Sequence, residues 1–161
     1  MALSNFERMI QLAEEAFAVK NDPEQLDVNQ KVIKQLQKIH PSSVSEYDDG
    51  KGPVAWILMI PTTLDLMNKF LEKKISEKEL FVLTPLDTAY DALYLCSAMV
   101  LEEYRRKGIA KKLALDAIEN IRKIHPVKAL FVWAFSKEGD LGSERIAQLT
   151  SLPLYKRENQ Y

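Results

Sequence analysis

Apolar residues recur along this chain at two spacings, and the switches between them outline a succession of helices and strands. Ser4 with Glu7 three residues later has the form of a capping box, and Phe6, Met9, Ile10, Ala13 and Phe17 follow at helical intervals. That spacing predicts a first helix. Asp22-Pro23-Glu24-Gln25 predicts the start of a second, with a capping side chain ahead of a proline at the first helical position. Leu26, Val32, Ile33, Leu36 and Ile39 give its apolar face, and Pro41 lies beyond its end. The pattern then changes. Val44 to Tyr47 reads as a short strand, residues 48–52 (Asp-Asp-Gly-Lys-Gly) as a turn, and Val54 to Ile60 as a strand. This last strand is apolar at nearly every position, as a central strand covered on both faces should be.

Thr62 with Asp65 and Ser76 with Glu79 mark two further short helices reaching about Thr84, and Pro85 and Asp87 open a loop. A second nearly all-apolar strand spans Ala92 to Leu101. After a basic turn comes a long helix carrying Ile109, Ala110, Leu113, Ala117, Ile118, Ile121 and Ile124 on one face, stopped by Pro126. Ala129 to Phe135 reads as a strand, Ser143 to Leu152 as a short helix, and Leu154 to Glu158 as an edge strand. Strand, helix, strand is a βαβ unit with a right-handed crossover. The expected class is α/β (α+β), one domain over residues 1–161, with helices packed on a mixed central sheet.

Composition narrows the function classes. Basic and acidic residues number 22 and 23, a net charge of −1, whereas nucleic-acid binders carry a large positive excess; no nucleic-acid partner is expected. Cys96 is the only cysteine, so no intrachain disulfide can form and a reducing compartment is expected. The N-terminus has no apolar run of signal-peptide length, and Val54 to Ile60 is far too short to span a bilayer. A cytoplasmic protein without membrane attachment is the expectation.

The chemistry concentrates between the Ala92–Leu101 strand and the long helix. Arg105, Arg106 and Lys107 fill the loop, Gly108 and Ala110 open the helix, and Lys111 and Lys112 stand in its first turn. A helix N-terminus presents unpaired N–H groups and the positive end of its dipole. Lysines there oppose the dipole, so an anion is the natural counterpart, and small residues let it reach the backbone. These residues describe an anion site suited to phosphate. The competing reading is a solvated basic face on an ordinary crossover helix. Neither G-x-x-x-x-G-K-[ST] nor G-x-G-x-x-G occurs, which excludes the P-loop and the dinucleotide fingerprint.

Arg105-Arg-Lys-Gly108-Ile-Ala110 resembles the R/Q-x-x-G-x-G/A motif of the GNAT acetyltransferases, with Val100 five residues upstream, Glu-Tyr ahead of the arginines, and an Ala-containing amphipathic helix behind. The resemblance covers roughly Val44 to Ile60 and Ala92 to Tyr155; about 62–91 looks like a helical insertion. It implies a GNAT-like acyl-CoA N-acyltransferase fold and an N-acetyltransferase using acetyl-CoA as cosubstrate, without a metal. It implies cofactor-binding roles for Arg105, Arg106, Lys107, Gly108, Ile109, Ala110 and Lys111 at the pyrophosphate, and for the backbone of Met99 and Val100 along the pantetheine arm. The strands around Val100 and Trp133 would splay apart around the thioester, with the Val100 N–H facing the oxyanion. The acceptor would be a primary amine of a small molecule or a protein.

Two positions depart from that pattern. Tyr94 stands where histone-type members carry a catalytic glutamate, and a phenol with a pKa near ~10 is a poor base unless perturbed. The tyrosine usual on the last helix is replaced by Ser151, leaving Tyr155 as the nearest phenol for the general acid. Tyr94 and Tyr155 are therefore the catalytic candidates, against a core role for Tyr94. Cys96 reads as a buried structural thiol, His40 and His125 as helix-terminal histidines, and Trp56 and Trp133 as core. Glu46, Asp48 and Asp49 read as a solvated turn or a lure for a cationic acceptor. The apolar residues of the insertion would cover the acceptor side of the cleft or form a subunit interface, which leaves a homodimer open. The short tail after Tyr155 suggests a C-terminal edge that is truncated or completed by a partner. Two other readings remain: an acyl-CoA binder or sensor without turnover, and an interaction domain whose basic turn binds acidic partners.

Overall fold

A computed structural model describes residues 3–20, 24–26 and 29–158, with side chains undescribed from 16 to 20. The elements, in order, are α1 (Asn5–Lys20), α2 (Gln30–Ile39), β1 (Val44–Asp48), β2 (Pro53–Thr62), α3 (Leu64–Leu71), α4 (Glu77–Leu83), β3 (Ala92–Val100), α5 (Ile109–Arg122), β4 (Ala129–Val132), α6 (Lys137–Thr150) and β5 (Leu154–Lys156). The helix start expected at Asp22-Pro23, and the placement of Phe17, lie outside the described residues. The α2 helix proper begins at Gln30, where the Asn29 side chain accepts from the Val32 N–H. An asparagine in extended conformation does there what an aspartate was expected to do seven residues earlier.

The strands lie in the order β1-β2-β3-β4-β5, with β1, β2 and β3 mutually antiparallel and β3, β4 and β5 parallel. The sheet is mixed, as expected. Two successive parallel crossovers running in one direction put α5 and α6 on one face. There Ala114, Ala117, Ile118, Ile121, Ile146 and Ala147 pack on Ile57, Met59, Leu93 and Leu130. The first four helices cover the other face through Met9, Leu36, Ile39, Leu66, Met67, Phe70 and Leu80. Every residue of β2 is buried, because both faces of this strand are covered.

The segment 62–91 is built into that second face. Thr63, not Thr62, caps α3, and Ser76 with Glu79 forms a full capping box at α4. Phe70 is fully buried and meets the rings of Tyr94, Phe131 and Trp133 edge-on at 5.1, 5.8 and 6.0 Å. Leu66, Met67, Phe70 and Leu80 of this segment are therefore core residues, while Leu83 stays exposed. Beyond β5, the buried Arg157 guanidinium lies against the Phe70 and Trp133 rings, 4.6 and 4.5 Å from their centroids. It donates to the carbonyls of Phe70 and Ile75 and to Glu24, joining the last strand to the inserted helices and to the segment before α2.

Two boundaries differ from the sequence reading. The α6 helix starts six residues before Ser143, at Lys137, where the Ser136 side chain accepts from the Gly139 N–H. Gly139 and Gly142 mask that start by lowering helix propensity. The β4 strand stops at Val132, not Phe135, and this early stop shapes the candidate site.

Candidate active site where β3 and β4 part

The β3–β4 ladder runs only from Ala92↔Ala129 to Leu95↔Val132, while β3 continues to Val100. On its other side β4 stays paired to its end, where the Val132 carbonyl accepts from the Arg157 N–H. Four residues of β3, Ser97 to Val100, therefore pair on the β2 side only. A bulge begins this stretch: Leu58 faces Ser97 and Met59 faces Leu95, leaving Cys96 as the extra residue. Cys96 is buried, consistent with a structural thiol.

Alternation along a strand decides which backbone groups reach the open side. The Leu101 N–H donates to the Val54 carbonyl at 2.9 Å, so Leu101, and two residues back Met99, turn their polar backbone groups toward β2. Ala98 and Val100 turn theirs toward the parting. The Val100 carbonyl is engaged by the Arg105 Nε at 2.9 Å, which leaves its N–H on the open edge. Of the expected pair, then, Val100 faces the cleft; the Met99 backbone does not, and its side chain is core. Ala98 takes its place, a residue the motif does not mark and strand alternation identifies once the register is known.

The loop after β3 begins with a 3-10 turn, Glu102–Tyr104, and ends at Gly108, the N-cap of α5. Gly108 has φ 76°, and Arg106, also left-handed, has φ 64°. A Cβ at Gly108 would meet nothing within 4 Å, so its glycine is required by backbone conformation and the space before it is open. No side chain caps α5 and no acid stands in its first turn. The first helical bond into Gly108 comes from the Lys112 N–H, which leaves the amides of Gly108, Ile109, Ala110 and Lys111 without intrahelical acceptors. Arg105, Arg106, Lys107, Lys111 and Lys112 are all exposed, and among the described residues none is ion-paired. Uncapped amides, helix dipole and unpaired cations converge on one open place, and a phosphate group fits it.

Side chains from other elements hold this loop. Arg8 of α1 bridges Glu103 at 2.7 Å, which lowers the Glu103 pKa and raises that of Arg8. Tyr104 donates its hydroxyl to Asp49 in the β1–β2 turn, and Asp49 also accepts from the Lys51 N–H at 2.8 Å and from Asn5 at 3.1 Å. The Tyr104 bond is the leading reason that Asp49 lies below the ordinary carboxylate range and Tyr104 above the ordinary phenol. Asp48 accepts from Gly50 and Gly52. The expected solvated acidic turn is thus a tied one at Asp48 and Asp49, while Glu46 accepts from the Trp56 indole. Between α1 and the end of β3 lies a cavity of about 590 Å³, bordered by Arg8, Gln11 and Glu15 on one side and Leu101, Glu102 and Arg105 on the other.

Neither candidate phenol opens onto the parting. Tyr94 is fully buried and donates to the Glu77 carboxylate at 2.5 Å; burial first, then the Glu77 charge, raise its pKa well above 10. It keeps its proton at neutral pH and has no opening to the cleft, so a role as general base is replaced by a core role. Its partner Glu77 also accepts from the Leu26 N–H, a pairing that sequence spacing gives no means to find. Tyr155 is half exposed on β5, in register with Phe131 across β4, which puts two strand spacings, roughly 10 Å, between it and β3. Ser151 ends α6 in a left-handed conformation. His40 closes α2 and accepts from the Ser42 N–H; His125 accepts from the Tyr90 N–H; their rings lie 5.7 Å apart. Among the described residues no group of three or more His, Cys, Asp or Glu could hold a metal, and no helix is long and apolar enough to cross a membrane.

The mixed central sheet flanked by helices is that of a GNAT-like fold. The chain belongs to the Acetyltransferase (GNAT) family, whose family model matches residues 6–146, and that membership supports a general acetyltransferase activity. A search of curated proteins finds no match to the chain.

Proposed function

We propose that the protein is an N-acetyltransferase that takes its acetyl group from acetyl-CoA and delivers it to a primary amine. The observation that carries this reading is the adjacency of the uncapped α5 N-terminus to the unpaired edge of β3. The amides from Gly108 to Lys111, with Arg105, Arg106 and Lys107 around them, would hold the pyrophosphate. The backbone groups of Ala98 and Val100 on the open edge would align an extended pantetheine arm as an added strand does. Bound acetyl-CoA supplies an activated acyl thioester.

The Val100 N–H is a fixed donor for the oxygen on which negative charge develops. An alkylamine with a pKa near ~10.4 must lose a proton before it attacks, and the departing thiolate must gain one. Neither Tyr94 nor Tyr155 is placed for either step, so water in the parting would carry both protons. The cavity between α1 and β3 adjoins the loop and would admit the acceptor.

That neither phenol opens onto the parting also favours a second reading, an acyl-CoA binder without turnover. Calorimetry with acetyl-CoA and thiol release across a panel of primary amines separate the two. Binding together with amine-dependent thiol release supports the enzyme. Binding with release no faster than background on every amine would leave the binder.

A further inference from the structure

We propose that Tyr104 and Asp49 form a clamp that sets the shape of the anion loop, making both positioning residues for phosphate binding although neither is among the amides and cations that face the anion. The inference rests on reading that loop as the pyrophosphate site. Its starting point is conformational. The chain from Glu102 to Gly108 reverses direction between a strand and a helix, with Arg106 and Gly108 both left-handed. The left-handed backbone is unfavourable for a non-glycine residue such as Arg106, so the shape needs support from outside. The backbone gives little of it: Tyr104 N–H to Leu101 and Arg105 N–H to Glu102 close the 3-10 turn, and both bonds lie before the left-handed residues.

What fixes that turn in space comes from elsewhere in the chain. The Tyr104 hydroxyl is bound by the Asp49 carboxylate, 55 residues away in sequence. Asp49 is held in turn by the Lys51 amide of its own hairpin and by Asn5 at the start of α1. The Tyr104 ring also lies beneath the Lys107 ammonium, 5.4 Å from the nitrogen, and so connects to the middle of the loop. One phenol therefore joins the β1–β2 hairpin, α1 and the phosphate-facing loop. Without its hydroxyl, the loop would sample other shapes, and only the fraction with amides converging would bind an anion.

The test uses Tyr104→Phe, which keeps the ring under Lys107 and deletes a single hydroxyl, together with Asp49→Ser and the double variant. Acetyl-CoA affinity is measured by calorimetry. That of S-acetylpantetheine, which lacks the pyrophosphate, is measured by NMR titration, with the thermal transition recorded for each protein. The expected result is roughly tenfold weaker acetyl-CoA binding in each single variant, the size of a deleted hydrogen bond to a charged group. The double variant should be no weaker than the weaker single one, and S-acetylpantetheine affinity should be unchanged throughout. Wild-type protein that binds acetyl-CoA while Tyr104→Phe binds it equally well would overturn the clamp and leave the parent reading standing. Equal losses for both ligands would overturn it too, since a general structural role would then explain them. Failure of the wild type to bind acetyl-CoA would remove the parent reading, and the clamp with it.

Discussion

At Tyr94 the same residue looks different from sequence and from structure. Its position relative to the Arg105–Ala110 motif suggests a catalytic slot, because counting along a strand identifies a site but not its exposure. Glu77, which converts it into half of a buried pair, arrives from a helix with no marked spacing to β3. Tyr94→Phe should therefore lower stability by about 1–3 kcal/mol, since the buried Glu77 loses a donor, while acetyl-CoA affinity stays within twofold of wild type. Denaturant unfolding and calorimetry check this; a variant of full stability would mean that the bond contributes nothing. His40 gives a pH prediction. Burial, and then the nearby His125, lower its pKa, so the unfolded chain binds the proton more readily than the folded one. The associated stability is present above the unfolded pKa near ~6.5 and is lost as the pH falls through the lower folded value. The melting temperature should drop between about pH 7 and 5, and His40→Asn, which keeps an acceptor for the Ser42 N–H, should flatten that drop. An unchanged slope in the variant would exclude His40 as its source.

Elements were legible where periodicity was strong and uncontested. The α5 helix, the buried β2 strand and the Ser76–Glu79 start of α4 follow from apolar spacing and capping chemistry alone. The failures have physical causes. Gly139 and Gly142 hide the first two turns of α6, which tertiary packing of Ser143, Ile146 and Ala147 holds helical. Residues 133–135 are as apolar as a strand, yet β4 ends before them, its last carbonyl accepting from the Arg157 N–H on the β5 side. The point where the β3–β4 ladder stops is invisible in composition, and the parting begins there. Arg157 is thus the element-scale test. Arg157→Ala removes a buried cation from two rings, two carbonyls and Glu24, and should cost about 3–4 kcal/mol of stability. Urea unfolding reads it directly, and a loss under 1 kcal/mol would contradict the anchoring role.

Across the whole molecule, two helical layers on a mixed sheet follow from the two all-apolar strands and the βαβ pattern. The assignment of 62–91 as a covering insertion did not, because an apolar helix face reads the same whether it meets a core, a lid or a partner. The loop proposed to hold the anion stands out in the sequence as a cluster, since its residues are contiguous. Its supports were not, since Arg8, Asn5 and Asp49 reach it only through the fold. The central claim, that this loop binds the phosphates of acetyl-CoA, is tested most directly by calorimetric titration of acetyl-CoA into wild type, Gly108→Asn and Gly108→Asp. Asparagine and aspartate both tolerate the left-handed backbone at this position and differ by one charge. The account predicts clear binding to wild type, modestly weaker binding to Gly108→Asn, and binding weaker by at least roughly tenfold again in Gly108→Asp, as a charge difference beside a phosphate implies. Equal affinities in the two variants, or no binding to wild type, would contradict it.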